Sequence, residues 1–500
     1  MKDMLLIDGN SLTLDMLAAW ERAPVDVALE DAARERMQAN QSLVQKVIDE
    51  GRVSYGINTG FGAFAKQRIS ADKVIELQYN LVRSHCCGVG EPLSRELTRR
   101  MMLLKANSLA VGHSGIRPDV VDTLLALLNH DVIPVIPERG SVGASGDLAP
   151  LAHLALALIG EGEAMHGGKR LEGTAVLKAA GREPVELAAK EGLALLNGTQ
   201  LSAALAIEGL FRGEALLRDA IVAGSMSVEG LAGSFSPFDA RVHDIRRMPG
   251  QIEVAKRFRD LLTQSEINAS HAECDRVQDP YALRCMPQVF GGVWDTLAHA
   301  RRLLELELNS VSDNPLVFDD AVISGGNFHA EPLAFLADFM AIAVAELGSM
   351  SERRTDLLLR KVNPRLEMFL TATPGLESGY MMAHVTAAAL ASENKTLAHP
   401  ASVDSVPTSA GQEDHVSMAP WAGLKLLRVC ENVAHILAVE LLAAAIAIDQ
   451  MRPLRTTPEL EAAHAAIRRH VPPHEGDRRL DRDIATLANA LRRGILAKPD

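Results

Sequence analysis

Apolar residues recur at helical spacing over long stretches of the second half of the chain, roughly 199–231, 292–309, 331–359, 380–398 and 421–451. Thirty residues of helix reach about 45 Å, so these runs predict a bundle of long rods. Between Val433 and Ile448 the apolar positions go almost all round, which predicts a central rod packed on several sides, within one chain or between subunits. The first half reads in shorter pieces. An extended run at Met4–Ile7 meets a turn at Asp8-Gly9-Asn10 and a helix, and helical pattern dominates 28–49. From Gln78 to Gly90 an apolar approach ends in the polar tip Arg83-Ser84-His85-Cys86-Cys87-Gly88. Helical pattern returns over 94–129, broken near Gly112-His113-Ser114-Gly115, and an apolar run follows at Leu151–Ile159. Gly162, Gly167 and Gly168 punctuate a predicted hairpin over 160–173, and the charged tail from His474 carries a short amphipathic helix over 484–496. The expectation is a mainly α protein, with a loop-rich, mostly helical part at 1–198 and an elongated central helical bundle with a helical tail at 199–500.

Composition sharpens this. A chain of 500 residues, 47% hydrophobic and 23% charged, is globular and long enough for several domains. Aromatics make up only 4%, a bias toward helices over sheets. The net charge of −13 argues against nucleic acid and anionic membranes as partners. Met1-Lys2-Asp3-Met4 lacks the basic and apolar regions of a secretion signal. The apolar stretch Ile436–Ile448, interrupted by Glu440, falls short of a membrane span. The five cysteines include adjacent Cys86-Cys87 and form no disulfide framework, and Cys274 and Cys285 lack zinc-site spacing. A reduced, soluble, cytoplasmic protein without metal or membrane is expected.

Two loops carry candidate chemistry. Tyr55-Gly56-Ile57-Asn58-Thr59-Gly60-Phe61-Gly62 interleaves glycines with polar and aromatic residues, either as a plain connection or as a substrate-covering loop presenting the Tyr55 phenol. Gly140-Ser141-Val142-Gly143-Ala144-Ser145-Gly146-Asp147-Leu148-Ala149-Pro150 has little side-chain bulk and precedes a helical run. Its simple reading is a turn in which Ser145 or Asp147 caps that helix. Its chemical reading is autocatalytic. The Gly146 amide nitrogen attacks the Ala144 carbonyl, and loss of that water and of the Ser145 hydroxyl leaves an exocyclic methylidene, an electrophile no ordinary side chain offers. A hydrolase using Ser145 is disfavoured, because Asp147 stands where a nucleophile elbow needs glycine. Gly168-Lys169 fails the spacing of a phosphate loop, so no external cofactor is implied.

Polar clusters mark the ends of the rods: Leu196-Asn197-Gly198-Thr199-Gln200, Gln278-Asp279-Pro280-Tyr281-Ala282-Leu283-Arg284, Ser312-Asp313-Asn314-Pro315, Ser324-Gly325-Gly326-Asn327-Phe328-His329 and Gly411-Gln412-Glu413-Asp414-His415. Each alone reads as a cap or loop. Together with the Tyr55 and Gly140 stretches they resemble the aromatic amino acid ammonia-lyase and aminomutase family, and the likeness covers nearly the whole chain. The resemblance implies that Ala144, Ser145 and Gly146 form 4-methylideneimidazol-5-one. It implies a fold like the fumarase and aspartase superfamily, and a homotetramer whose active sites are shared between subunits. The electrophile would turn the substrate nitrogen into a better leaving group while a base removes the β-proton.

By the same resemblance Tyr55 is that base, which requires its phenol, normally near pH 10, to be lowered. Asn197 stabilises a developing oxyanion, Arg284 clamps the substrate carboxylate, and Tyr281 sits beside the methylidene in a neighbouring subunit's site. Gln278 and Asn327 are further polar contacts, and Phe328 limits solvent access. His85 and Glu413 face the substrate side chain. An imidazole exchanges hydrogen bonds with both, whereas a phenyl ring leaves them unpaired. Ser84-His85 with Gln412-Glu413-Asp414 therefore points to non-oxidative deamination of histidine, with tyrosine or phenylalanine lyase or aminomutase activity as the alternative. Cys86-Cys87, Gly411, Met382 and His384 depart from the residues usual in such chains.

Overall fold

The computed structural model describes residues 4–60, 62–64, 66–271 and 277–496. Phe61 of the tyrosine loop, Cys274, the first three residues and the last four lie outside the described residues. The mainly α expectation holds, since long helices dominate and the sheets have only two or three short strands. By its internal contacts the chain divides into two compact units, each drawn from three separate segments. The first comprises 1–208, 301–337 and 400–424; the second comprises 209–300, 338–399 and 425–500.

In the first unit Met4–Ile7 forms the expected strand, and Thr13 caps the helix Leu14–Arg22 through its side chain. Asp26–Leu29 is a second strand, parallel to the first, so helix begins at Asp31 rather than at Ala28. Four residues with three apolar positions fit either period, and pairing with Met4–Ile7 decides. Helix Val74–His85 carries the polar tip on its last turn, and Glu163–His166 pairs with Lys169–Glu172 as the predicted hairpin. At the centre lies the helix Arg95–Ala110, buried at every position from Leu97 onward. That includes Arg99, Arg100, Lys105 and Asn107, polar groups that need partners once out of water. Arg100 finds Glu21 at 2.6 Å and Glu208 at 2.7 Å, and the Asn107 amide donates to the Leu308 carbonyl at 2.8 Å.

The second unit is a helical bundle. The rods come out as Gln200–Gly230, Met286–Glu307, Glu331–Leu359, Met381–Leu397 and Ala419–Gln450, all within a few residues of the pattern's ends except for an earlier start at Met286. Four of the five cross between the two sets of segments. Glu331–Leu359 and Ala419–Gln450 are long and apolar enough to cross a membrane, yet most of the apolar stretch of each is buried inside the protein. Buried Glu440 explains the break in the apolar run. Its carboxylate accepts from Arg354 Nε and Nη2, at 2.5 and 2.8 Å, and from the Ser227 hydroxyl at 2.7 Å. Phe238, Phe258 and Phe290 stack alongside, and the Arg354 guanidinium lies 5.5 Å from the Phe290 ring. Helices Pro249–Leu262 and Pro458–His470, absent from the pattern reading, also belong to this unit.

Candidate active site

The Gly140–Pro150 stretch is a loop that enters helix Leu148–Leu158, and the simple capping expectation fails there. Asp147 occupies the N-cap position, yet its side chain makes no capping bond. Its carboxylate turns inward and takes the Ser202 amide and hydroxyl, each at 2.8 Å. Burial pushes this carboxyl up to about 6, against the lowering effect of the Ser202 bonds. The backbone is bent at Gly143, φ +66°, and at Gly146, φ +78°. A Cβ on Gly146 would overlap the Gly198 carbonyl, so only glycine fits. From the opposite side the Ser417 hydroxyl donates to the Gly143 carbonyl at 3.1 Å and the Met418 amide to the Val142 carbonyl at 2.8 Å.

Ser145 is held at both ends. Its carbonyl accepts from Asn197 Nδ2 at 2.7 Å, and its hydroxyl donates to Glu413 Oε1 at 3.2 Å. The other Glu413 oxygen accepts from the Thr408 hydroxyl at 2.7 Å. Asn197 is 3% exposed, and its Oδ1 has no partner among the described residues. A bulk-free bend, a carbonyl already gripped by an amide, a serine hydroxyl on a carboxylate and an orphaned buried acceptor together fit a prosthetic group made from Ala144, Ser145 and Gly146.

Tyr55 joins this group. The Gly62 amide hydrogen-bonds its phenol, and Glu413 lies close enough for its charge to act on it. The turn after the tyrosine loop, Gly62–Phe64, packs on Ser409–Gly411. Here the structure departs from the requirement for a lowered phenol. Burial pushes Tyr55 up, Glu413 adds to the rise, and the Gly62 amide only partly opposes it.

His85 ends its helix half-buried, one ring nitrogen facing the Leu81 carbonyl at 2.8 Å. A carbonyl only accepts, so in the neutral ring Nδ1 carries the hydrogen and Nε2 the lone pair. The chain just beyond, at Gly88, backs onto Gly140 and donates its amide to His153 Nε2 at 3.2 Å. Asn327 donates to the Val311 carbonyl at 3.2 Å. Phe328 precedes His329, whose ring stacks on His415 with centroids 5.6 Å apart, which brings this segment beside the Glu413 loop. Gln278, Tyr281 and Arg284 belong to the second unit. Gln278 and Tyr281 are exposed, the Arg284 guanidinium lies 4.6 Å from the Tyr281 ring centre, and Arg284 Nε is a buried donor without a partner among the described residues.

Sequence reasoning missed Thr408, Ser417, Ser202 and Lys105. Thr408 and Ser417 are ordinary loop residues and Ser202 an ordinary residue of a helix's first turn, and only their partners give them a role. Lys105 had a signal, a lone cation within the apolar run Met101–Ala106.

The fold and this site define a class. The chain belongs to the aromatic amino acid lyase family, whose pattern matches residues 12–469. It is 52% identical over 497 residues to histidine ammonia-lyase of Burkholderia ambifaria, covering 99% of this chain and 98% of that one. Its structure superposes on histidine ammonia-lyase from Trypanosoma cruzi with a TM-score of 0.90 at 44% identity, covering 99% of this chain and 94% of that one. With tyrosine aminomutase from Streptomyces globisporus the TM-score is 0.93 at 37% identity, covering 99% and 98%.

Proposed function

We propose that this chain deaminates L-histidine to trans-urocanate and ammonia, using 4-methylideneimidazol-5-one formed from Ala144, Ser145 and Gly146. The observation that carries the reading is Glu413, hydrogen-bonded to the Ser145 hydroxyl in a group that includes Tyr55 and Asn197. The prosthetic group supplies an electrophile for the substrate's amino nitrogen. The remaining work falls to side chains. Asn197 Nδ2 holds the carbonyl of residue 145 and stabilises negative charge that develops there. Forming the group removes the Ser145 hydroxyl, which leaves Glu413 Oε1 open while Thr408 still anchors Oε2. That free oxygen accepts the substrate imidazole N–H, while His85 Nε2, also an acceptor, receives a second ring hydrogen only from the imidazolium form of the substrate.

Tyr55 takes the β-proton at its phenol oxygen as the C–N bond breaks. Burial is the main cause that raises the phenol and Glu413 a lesser one, so an imidazole hydrogen bond that spreads the carboxylate's charge removes only the lesser part of the rise. Arg284 clamps the substrate carboxylate through a bidentate fork, and Tyr281 stands beside the reacting centre. Gln278 and Asn327 line the site, and Phe328 shields it from water. In this reading Tyr281 and Arg284 reach the site of a neighbouring subunit in a homotetramer, and the enzyme works in the cytoplasm.

Two measurements test the proposal. Intact mass should show a loss of two waters from the translated sequence, abolished or reduced in Ser145→Ala. Ammonia release should favour L-histidine over L-tyrosine and L-phenylalanine, with no β-amino acid among the products. Full mass in an active preparation overturns the prosthetic group. A preference for tyrosine, or a β-amino acid product, assigns the site to the lyase or aminomutase alternative.

A further inference from the structure

The Lys105 side chain is fully buried, and its ammonium donates at 2.7 Å to the backbone carbonyl of Asn197. That is its one hydrogen bond among the described residues. Both nearby carboxylates are committed elsewhere. Asp147 holds Ser202, and Asp313 takes the Lys190 ammonium at 3.2 Å and the Ser114 hydroxyl at 3.2 Å. Burial lowers the Lys105 ammonium to about 8, with Lys190 acting in the same direction while Asp313 and Asp147 oppose it. A buried cation on a single neutral carbonyl is an expensive way to satisfy one acceptor. A methionine of similar length would fill the space, and the carbonyl alone does not account for the charge.

Asn197 explains the need. It sits where the chain leaves helix Glu191–Leu196, extended at φ −84°, ψ 131°, and Gly198 follows at φ +142°. Its amide is tied back to the Leu193 carbonyl at 2.9 Å, and its own carbonyl is tied to Lys105. Between these two anchors the side-chain amide is held against the Ser145 carbonyl. We propose that Lys105 is a positioning residue, acting through Asn197 to hold that amide on the carbonyl of residue 145 during turnover. This rests on the function proposed above.

The test uses the full-length enzyme in four forms: K105M, K105R, N197A and K105M/N197A. For each, intact mass gives the fraction of chains short of two waters, and kcat is expressed per cyclised site. K105M should lower kcat about 10- to 100-fold while KM for L-histidine stays within about threefold, because the lost contact acts on the transition state. K105R, which keeps charge and donors, should recover to within about fivefold of wild type. In the N197A background K105M should cost less than about threefold more, since the residue it positions is gone. Wild-type kcat in K105M overturns the proposal, as does an equal loss in both backgrounds. If K105M does not fold, K105Q, which retains a donor without the charge, is read in both backgrounds by the same two criteria. A wild-type chain with neither mass deficit nor ammonia release defeats the reading of the site itself. A competent wild type with an indifferent K105M defeats only the role of Lys105.

Discussion

Glu413→Gln separates reading of the substrate from the chemistry. The carboxylate has two oxygens in defined use, Oε2 on the Thr408 hydroxyl at 2.7 Å and Oε1 on the Ser145 hydroxyl, which the proposed cyclisation removes. An amide keeps one acceptor, so Thr408 stays satisfied and the loop is undisturbed. The other position turns from a charged acceptor into a donor or a neutral acceptor. A hydrogen bond to a charged group is worth about 1.5–3 kcal/mol, or roughly 10- to 150-fold in kcat/KM at about 1.4 kcal/mol per tenfold. This loss should fall on L-histidine, which presents a ring N–H, and spare L-phenylalanine, which presents none. A second readout has its own sign. Glu413 raises the Tyr55 phenol, so removing its charge lowers the phenol and moves the acid limb of kcat/KM to lower pH. The assay is ammonia release from both amino acids across pH, with intact mass confirming maturation. Equal losses for both substrates would refute Glu413 as the reader of the side chain, and an unmoved acid limb would refute its coupling to Tyr55.

Gly146→Ala tests the fit of the bend. At φ +78° a side chain costs about 1–2 kcal/mol, and the new Cβ would lie 2.7 Å from the Gly198 carbonyl carbon, so the loop must shift. The full unmodified mass and a lowered melting temperature are expected; a normal two-water deficit would show that the loop tolerates bulk. Glu440→Ala leaves Arg354 charged, buried and unpaired. A loss of about 3–5 kcal/mol in denaturant unfolding should follow, and a loss below about 1 kcal/mol would mean that Arg354 finds another partner.

The long rods were legible because each carries its apolar face for many turns, and end errors stay within a few residues where a polar cluster follows. The 331–359 rod matches at both ends. Short elements were less legible. The strand Asp26–Leu29 exists because Met4–Ile7 pairs with it, and that register lies outside any local window. Helix Pro458–His470 had its signals in plain view, with Thr457 as cap, Pro458 in the first turn, acids at the start and Arg468-Arg469-His470 at the end, but its apolar stripe is thin. At the site, the residues with unusual chemistry could be named in advance, whereas the ionisation of Tyr55 could not. Its direction depends on burial and on Glu413, 358 positions later in the sequence.

The loop that holds the reactive tripeptide is clamped by chain that is made late. Ser417 and Gly143, whose hydroxyl and carbonyl meet across the bend, are 274 residues apart. At roughly 5–20 residues per second of synthesis, the ribosome needs about 14–55 s to cover that separation. Asn197 follows Ser145 by 52 residues, but throughout this interval the tripeptide lacks Glu413 and Ser417, the late side of its clamp. On the proposed function, the electrophile arises only after residue 417 has been made and folded back onto the bend, so the fold sets the time of its appearance.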